Sequence, residues 1–346
     1  MISPATILLA FAGVAVASPG WRFWPGPFTG WSTITHIISF GDSYTQTGFD
    51  PNGTQPSRAN PLGNPAYPGD TSSNGPNWID FLTTTWNRTF VETVNLAFGG
   101  ATVDGDLIPA FAPTVISLKQ QINDQYVPLY SKPSRRFNWQ PKSTLFAIFI
   151  GINDINNGYN LPNKAELYAK ELAEFAQLVV RWSFPVVDDL ELTCGQDTLY
   201  ETGARNVVIL NVPPIDRDPI TTETGEAAVE SQRTDIAAWN GNVSRIVKNL
   251  NRKPDATAFL FDTNALYNRV IDEPCSYPET CALKATSGYC PMYAFGTPTW
   301  YTKDPECEYS VDEYFWLNTL HPTFRIQNAT AREIANQLSV GKYWWS

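Results

Sequence analysis

The chain has 346 residues, 43% of them hydrophobic, which is enough for one large domain with a substantial core. Acidic residues outnumber basic ones by 34 to 24, and the net charge of -10 disfavours nucleic acid and anionic membranes as partners. Only two histidines occur and no pair sits at ligand spacing, so neither a metal nor another cofactor is expected.

Residues 1–17 hold an apolar core, Ile7 to Ala12, and end in Ala15-Val16-Ala17, the small-residue pattern of a signal cleaved before Ser18. That run is too short to span a bilayer, and no other stretch is long and apolar enough, so a soluble, secreted chain of one domain over 18–346 is expected. Four Asn-x-Ser/Thr sequons, at Asn52, Asn87, Asn242 and Asn328, fit a glycosylated exterior. A monomer is expected.

Apolar, β-branched runs predict strands near 35–40, 90–95, 144–150, 206–211 and 257–261. Between the first two, residues 45–77 are rich in Gly, Pro, Asn and Ser, and predict a long ordered loop over the site. A helix follows the third strand. Asn163 and Glu166 resemble a capping box, and Leu172, Phe175, Val179 and Trp182 recur at helical spacing. A longer helix is predicted over about 226–250, with Val229, Ile236, Val243, Ile246 and Leu250 on its core side. Strands alternating with helices give an α/β fold, a three-layer, flavodoxin-like α/β/α sandwich around a five-stranded parallel sheet. Such sheets hold ligands at the carboxyl edge of their strands.

Five cysteines lie late in the chain. In an exported protein four would form two disulfides, most simply Cys275 with Cys281 and Cys290 with Cys307, although spacing does not fix connectivity. Cys194 is left over and reads as structural.

Chemistry concentrates at strand ends. The first strand runs into Phe40-Gly41-Asp42-Ser43-Tyr44, where a glycine turn can present Ser43 as a nucleophile. The second leads to Phe98-Gly99-Gly100-Ala101, the third to Gly151-Ile152-Asn153-Asp154, and near the C-terminus stands Asn318-Thr319-Leu320-His321-Pro322. Any one block alone reads as a turn. His36 lies inside the first strand, which leaves His321 as the eligible base.

The ordered set of four blocks resembles the GDSL, or SGNH, hydrolases, and within them the fungal secreted acetylesterases of carbohydrate esterase family sixteen, with plant-type GDSL lipases and esterases next. Gly203-Ala204-Arg205-Asn206 through Pro213-Pro214 adds to that likeness. The resemblance implies that Ser43 and His321 are catalytic, and that the backbone N–H groups of Ser43 and Gly100 and the amide of Asn153 form an oxyanion hole. It also implies an acetyl preference and the SGNH hydrolase fold. The family usually carries Asp three residues before the histidine; here Asn318 stands there as the possible orienter, with Asp312 and Glu313 as the nearest alternative carboxylates. Asp42 and Asp154 read as organisers of their turns. The expected activity is removal of acetyl groups from plant cell-wall oligosaccharides, or from another small ester substrate. The alternatives are a lipase acting on longer acyl chains or phospholipids, and a non-catalytic carbohydrate-binding protein. Tyr44, Trp78, Tyr277, Tyr289, Tyr293, Trp300 and Tyr301 are candidates for stacking on sugars or for ordinary loop anchoring.

Overall fold

Five apolar runs form strands: β1 His36–Gly41, β2 Glu92–Asn95, β3 Thr144–Phe149, β4 Asn206–Leu210 and β5 Thr257–Phe261. The computed structural model describes residues 28–180 and 199–341. The expected signal segment, Trp182 and Cys194 lie outside those residues. All neighbouring strands are parallel, in the order β2-β1-β3-β4-β5. Because β3 pairs along the edge of β1 that β2 does not use, the strand order reverses at β1, with Gly41 opposite Phe149. A crevice opens at such a reversal, beyond the carboxyl ends of the strands.

The sheet is apolar on both faces, as a strand covered by helices on either side must be. Phe146 and Phe149 stand three residues apart on β3 and so point to opposite faces. Phe149 meets Trp78 of α1 (Trp78–Thr84), whereas Phe146 meets Tyr126 in a helical stretch over 118–130. These four side chains are fully buried, and burying a phenylalanine contributes roughly 1.5–3 kcal/mol. Further helices flank the sheet, among them α2 Ile152–Gly158, α3 Lys164–Val179, α4 Glu226–Leu250 and α5 Phe324–Val340. Helix α5 packs on α1, and α3 packs on α4. The core side of α4 carries Ile236, Val243, Ile246 and Leu250, all buried, whereas Val229, expected with them, is only partly buried.

Two local expectations need correction. The Asn163 side chain makes no capping bond, and Glu166 instead pairs with Lys170 at 2.6 Å on the solvent side of α3. The second strand begins at Glu92 and is shorter than 90–95. Beyond Asn95 the chain still follows β1, through Leu96 N–H to Ser39 O and Phe98 N–H to Gly41 O. Both disulfides pair as the simplest reading has them, Cys275 with Cys281 and Cys290 with Cys307.

The segment 45–77 is closed at its base by Asn77, whose amide donates to the carbonyls of Thr45 and Gln46 at 2.8 Å each while its oxygen caps α1. Tyr44, Trp78 and Tyr293 are buried anchors and offer no face for stacking.

Candidate active site

Strand β1 can deliver Ser43 to the sheet edge only because residue 41 is glycine. Its φ is +149°, and a Cβ there would lie 2.2 Å from the carbonyl oxygen of Phe149. The Gln121 side chain grips this peptide from both ends, accepting from Gly41 N at 2.9 Å and donating to Gly41 O at 2.8 Å. Next, Asp42 accepts from Tyr44 N at 3.0 Å. Burial pushes the Asp42 carboxyl up to about 8, so it is neutral at mildly acidic pH and places no charge behind the serine. Asn95 ties β2 to the same turn, accepting from Ser39 Oγ at 2.9 Å and donating to Thr45 O at 2.7 Å.

His321 sits in a tight loop before α5, closed by Leu317 N–H to His321 O at 2.8 Å. The buried hydroxyl of Tyr44 donates to Leu320 O at 2.6 Å, which locks the histidine loop to the residue after the serine. Ser43 Oγ then lies 2.7 Å from His321 Nε2. On the other side of the ring, Nδ1 lies 3.1 Å from Asn318 Oδ1. The amide orientation is fixed from both ends: Oδ1 accepts from the backbone N–H of Leu320 at 3.0 Å and of His321 at 2.8 Å, while Nδ2 donates to Ala294 O at 3.2 Å. An amide oxygen can only accept, so Nδ1 carries the proton and Nε2 is free to take one from Ser43. Burial lowers the pKa of His321 to about 4, which keeps the ring neutral over most of the acidic range. Neither alternative carboxylate reaches it. Asp312 pairs with Arg325, and Glu313 pairs with Lys284 at 2.5 Å.

Gly100 and Asn153 arrive from the two strands beside β1. Asn153 lies in the first turn of α2 and donates one amide hydrogen to Ala101 O at 3.0 Å. Its neighbour Asp154 accepts from Val103 N at 3.0 Å, and Glu171 of α3 accepts from Asp104 N at 2.8 Å. The glycine loop is thus held by the helix that carries Asn153 and by the helix after it. At Gly100 φ is +83°, and a Cβ would meet the edge of the Phe111 ring at 2.3 Å. The backbone N–H groups of Ser43 and Gly100 and the second amide hydrogen of Asn153 have no protein partner among the described residues. A nucleophile–base pair with three spare donors from neighbouring loops is what acyl transfer requires.

Residues 37–334 match the family model of GDSL-like lipases and acylhydrolases. The chain belongs to that family. An acetylesterase from Thermothelomyces thermophilus is 31% identical over 97% of this chain and 96% of its own length. A GDSL esterase/lipase from Arabidopsis thaliana is 23% identical over 55% of this chain and 47% of its own. Among solved structures, an acetyl xylan esterase from Geobacillus stearothermophilus covers 91% of this chain and 99% of its own at 17% identity, with a TM-score of 0.47. As a member of the GDSL family the chain is a carboxylic ester hydrolase.

Sequence reasoning reached all five candidates, Ser43, Gly100, Asn153, Asn318 and His321, and they lie around one crevice. It did not reach Gln121, Asn95, Ala294 or the exposed rings of Phe111 and Phe295. Gln121 acts on backbone atoms, Asn95 on one backbone carbonyl and on the hydroxyls of Ser39 and Thr47, and Ala294 through its carbonyl, so none leaves a residue-type pattern to read. Phe295 follows Ala294 directly, in a loop whose disulfide was the one available signal.

Proposed function

We propose that this protein is a serine acetylesterase of the exported kind, which removes O-acetyl groups from plant cell-wall oligosaccharides. The observation that carries the reading is the unbroken contact line Ser43 Oγ, His321 Nε2, His321 Nδ1, Asn318 Oδ1, with links of 2.7 and 3.1 Å across the ring. In the first half-reaction Ser43 Oγ attacks the ester carbonyl and its proton passes to Nε2. The carbonyl oxygen becomes an oxyanion and draws on Ser43 N–H, Gly100 N–H and the spare amide hydrogen of Asn153. Collapse of the intermediate breaks the bond to the alcohol, which leaves with the proton from Nε2. Water then repeats the sequence on the acetylated serine, giving its proton to Nε2, and Oγ recovers it as acetate departs.

Identity to an acetylesterase over nearly the whole chain supports the acetyl preference. Two disulfides and the apolar N-terminal segment support export. Asn52 stands on an exposed turn and is the best placed of the four sequons for a glycan, whereas Asn328 is half-buried with its oxygen accepting from Trp86 Nε1 at 2.7 Å. The test is a panel of p-nitrophenyl esters from acetate to octanoate, run beside acetate release from acetylated xylo-oligosaccharides. Fastest turnover on acetate, with acetate released from the oligosaccharides, supports the reading; preference for octanoate overturns it in favour of a lipase.

A further inference from the structure

His321 Nε2 must lie against the oxygen of the departing alcohol to return its proton, so the alcohol part of the ester occupies the space on the His321 side of Ser43. On that side a groove of about 620 Å³ runs between the loop 68–75 and the disulfide loop 290–307, and His321 and Asn318 form part of its wall. That volume falls within the range of roughly 300–1,000 Å³ typical of sites for small organic ligands. A depression of similar size beside Phe111 includes none of the five candidate residues.

The walls of the groove are fixed to each other. Asn74 donates through Nδ2 to Thr297 Oγ1 at 2.9 Å and accepts from Thr297 N at 2.7 Å. Its φ of +55° is the one left-handed backbone among the described non-glycine residues, a conformation that asparagine bears best. Across the groove, Cys290–Cys307 closes the loop, and Trp300 is packed on Phe324 with ring centroids 5.7 Å apart. Within this rigid frame the ring of Phe295 is fully exposed. A large apolar side chain left in water beside a catalytic histidine, and surrounded by hydroxyl and amide groups, suits a ligand with one apolar face and many hydroxyls.

We infer that this groove is the leaving-group subsite, with Phe295 as the platform on which the C–H face of a pyranose ring stacks while Ser72, Asn74 and Thr297 lie beside its hydroxyls. The inference rests on the acetylesterase reading above and adds where the sugar lies. Phe295 follows Ala294, whose carbonyl holds the Asn318 amide, so the platform and the orienting group of His321 are consecutive residues of one loop.

The test compares two esters, ethyl acetate, whose two-carbon alcohol has no ring face to stack, and acetylated xylo-oligosaccharides. Phe295→Ala is expected to raise KM for the oligosaccharide about tenfold, the loss of one stacking contact, with kcat little changed. Turnover of ethyl acetate stays within about twofold, and Phe295→Trp keeps the low KM. In the wild type, deacetylated xylo-oligosaccharide inhibits ethyl acetate hydrolysis competitively, and Phe295→Ala weakens that inhibition in parallel. If Phe295→Ala leaves both the oligosaccharide KM and the inhibition unchanged, the subsite assignment is overturned and the acetylesterase reading stands. If the wild type hydrolyses ethyl acetate but neither deacetylates nor is inhibited by the oligosaccharide, the carbohydrate reading falls and takes the subsite with it.

Discussion

The amide nitrogen of Asn318 donates to the carbonyl of Ala294, and this contact, with the Leu320 and His321 N–H groups on its oxygen, fixes which way the Asn318 oxygen faces. With that hydrogen bond in place the oxygen meets Nδ1 of His321, and an asparagine fills the position at which the family usually has aspartate. Asn318→Asp would set a carboxylate oxygen against the Ala294 carbonyl, which has no proton to offer. It would also supply a charge that stabilises the protonated imidazole. The acidic limb of the kcat/KM profile, which the His321 pKa of about 4 places well below neutrality, should therefore move up by about one unit. The thermal midpoint should fall slightly. A pH–rate series on both proteins checks this, and an unmoved acidic limb would separate Asn318 from the titration of His321.

Asn153→Ala removes the proposed oxyanion donor and leaves Ala101 O without its bond. Because the donor serves charge that develops only in the transition state, kcat should fall by about 10²–10³ with KM little altered. Steady-state kinetics on p-nitrophenyl acetate separate the two parameters, and a change confined to KM would make Asn153 a ground-state binding residue.

Two glycines of the site should fail in different ways. At Gly41 an added methyl group meets the backbone oxygen of Phe149, inside the sheet, where nothing can yield. At Gly100 it meets the Phe111 ring, which is largely exposed and can swing away. Gly41→Ala should lower the thermal midpoint by many degrees or prevent folding, whereas Gly100→Ala should fold and lose mainly turnover. Melting curves with activities on the same samples would show the contrast.

Stability should be greater in mild acid than in mild base. Burial raises Asp42 and Asp80 to about 8, Asp154 and Asp218 to about 7, and Glu171 to about 10. From about pH 4 upward the folded chain holds these protons while the unfolded chain has released them, so unfolding becomes easier as pH rises through the folded values. His321, lowered to about 4, and His36, also lowered by burial, act in the opposite sense below about pH 6.5, but the raised carboxyls outnumber them. A higher thermal midpoint at pH 5 than at pH 8 is the expected result, and the reverse order would mean that these carboxyls are ionised in the folded protein.

The sheet was legible because a buried parallel strand is a short apolar run ending in a turn, and four of the five strands stand within a residue of where that pattern puts them, while the more polar second one, Glu92–Asn95, is shorter. The long helix was legible for a similar reason: Ile236, Val243, Ile246 and Leu250 keep helical spacing over several turns. The Asn163 cap failed because a capping pattern states only what a side chain can do, and here Glu166 finds Lys170 instead. The candidate site residues were reached through the resemblance of four ordered blocks to the GDSL hydrolases, since any one block alone reads as a turn. What holds them was not reached. Gln121 on Gly41, Tyr44 on Leu320 and Ala294 on Asn318 are contacts with main-chain atoms across 24 to 276 residues, and such contacts impose no local pattern.

The central claim is that Ser43, served by His321, carries the acyl group. The most direct measurement is p-nitrophenyl acetate turnover by Ser43→Ala and His321→Ala, each with a circular dichroism spectrum matching the parent. Both variants should lose at least about 10³-fold in kcat, leaving only what binding and the oxyanion donors supply. A folded Ser43→Ala protein that hydrolyses the ester at the parent rate would contradict the account.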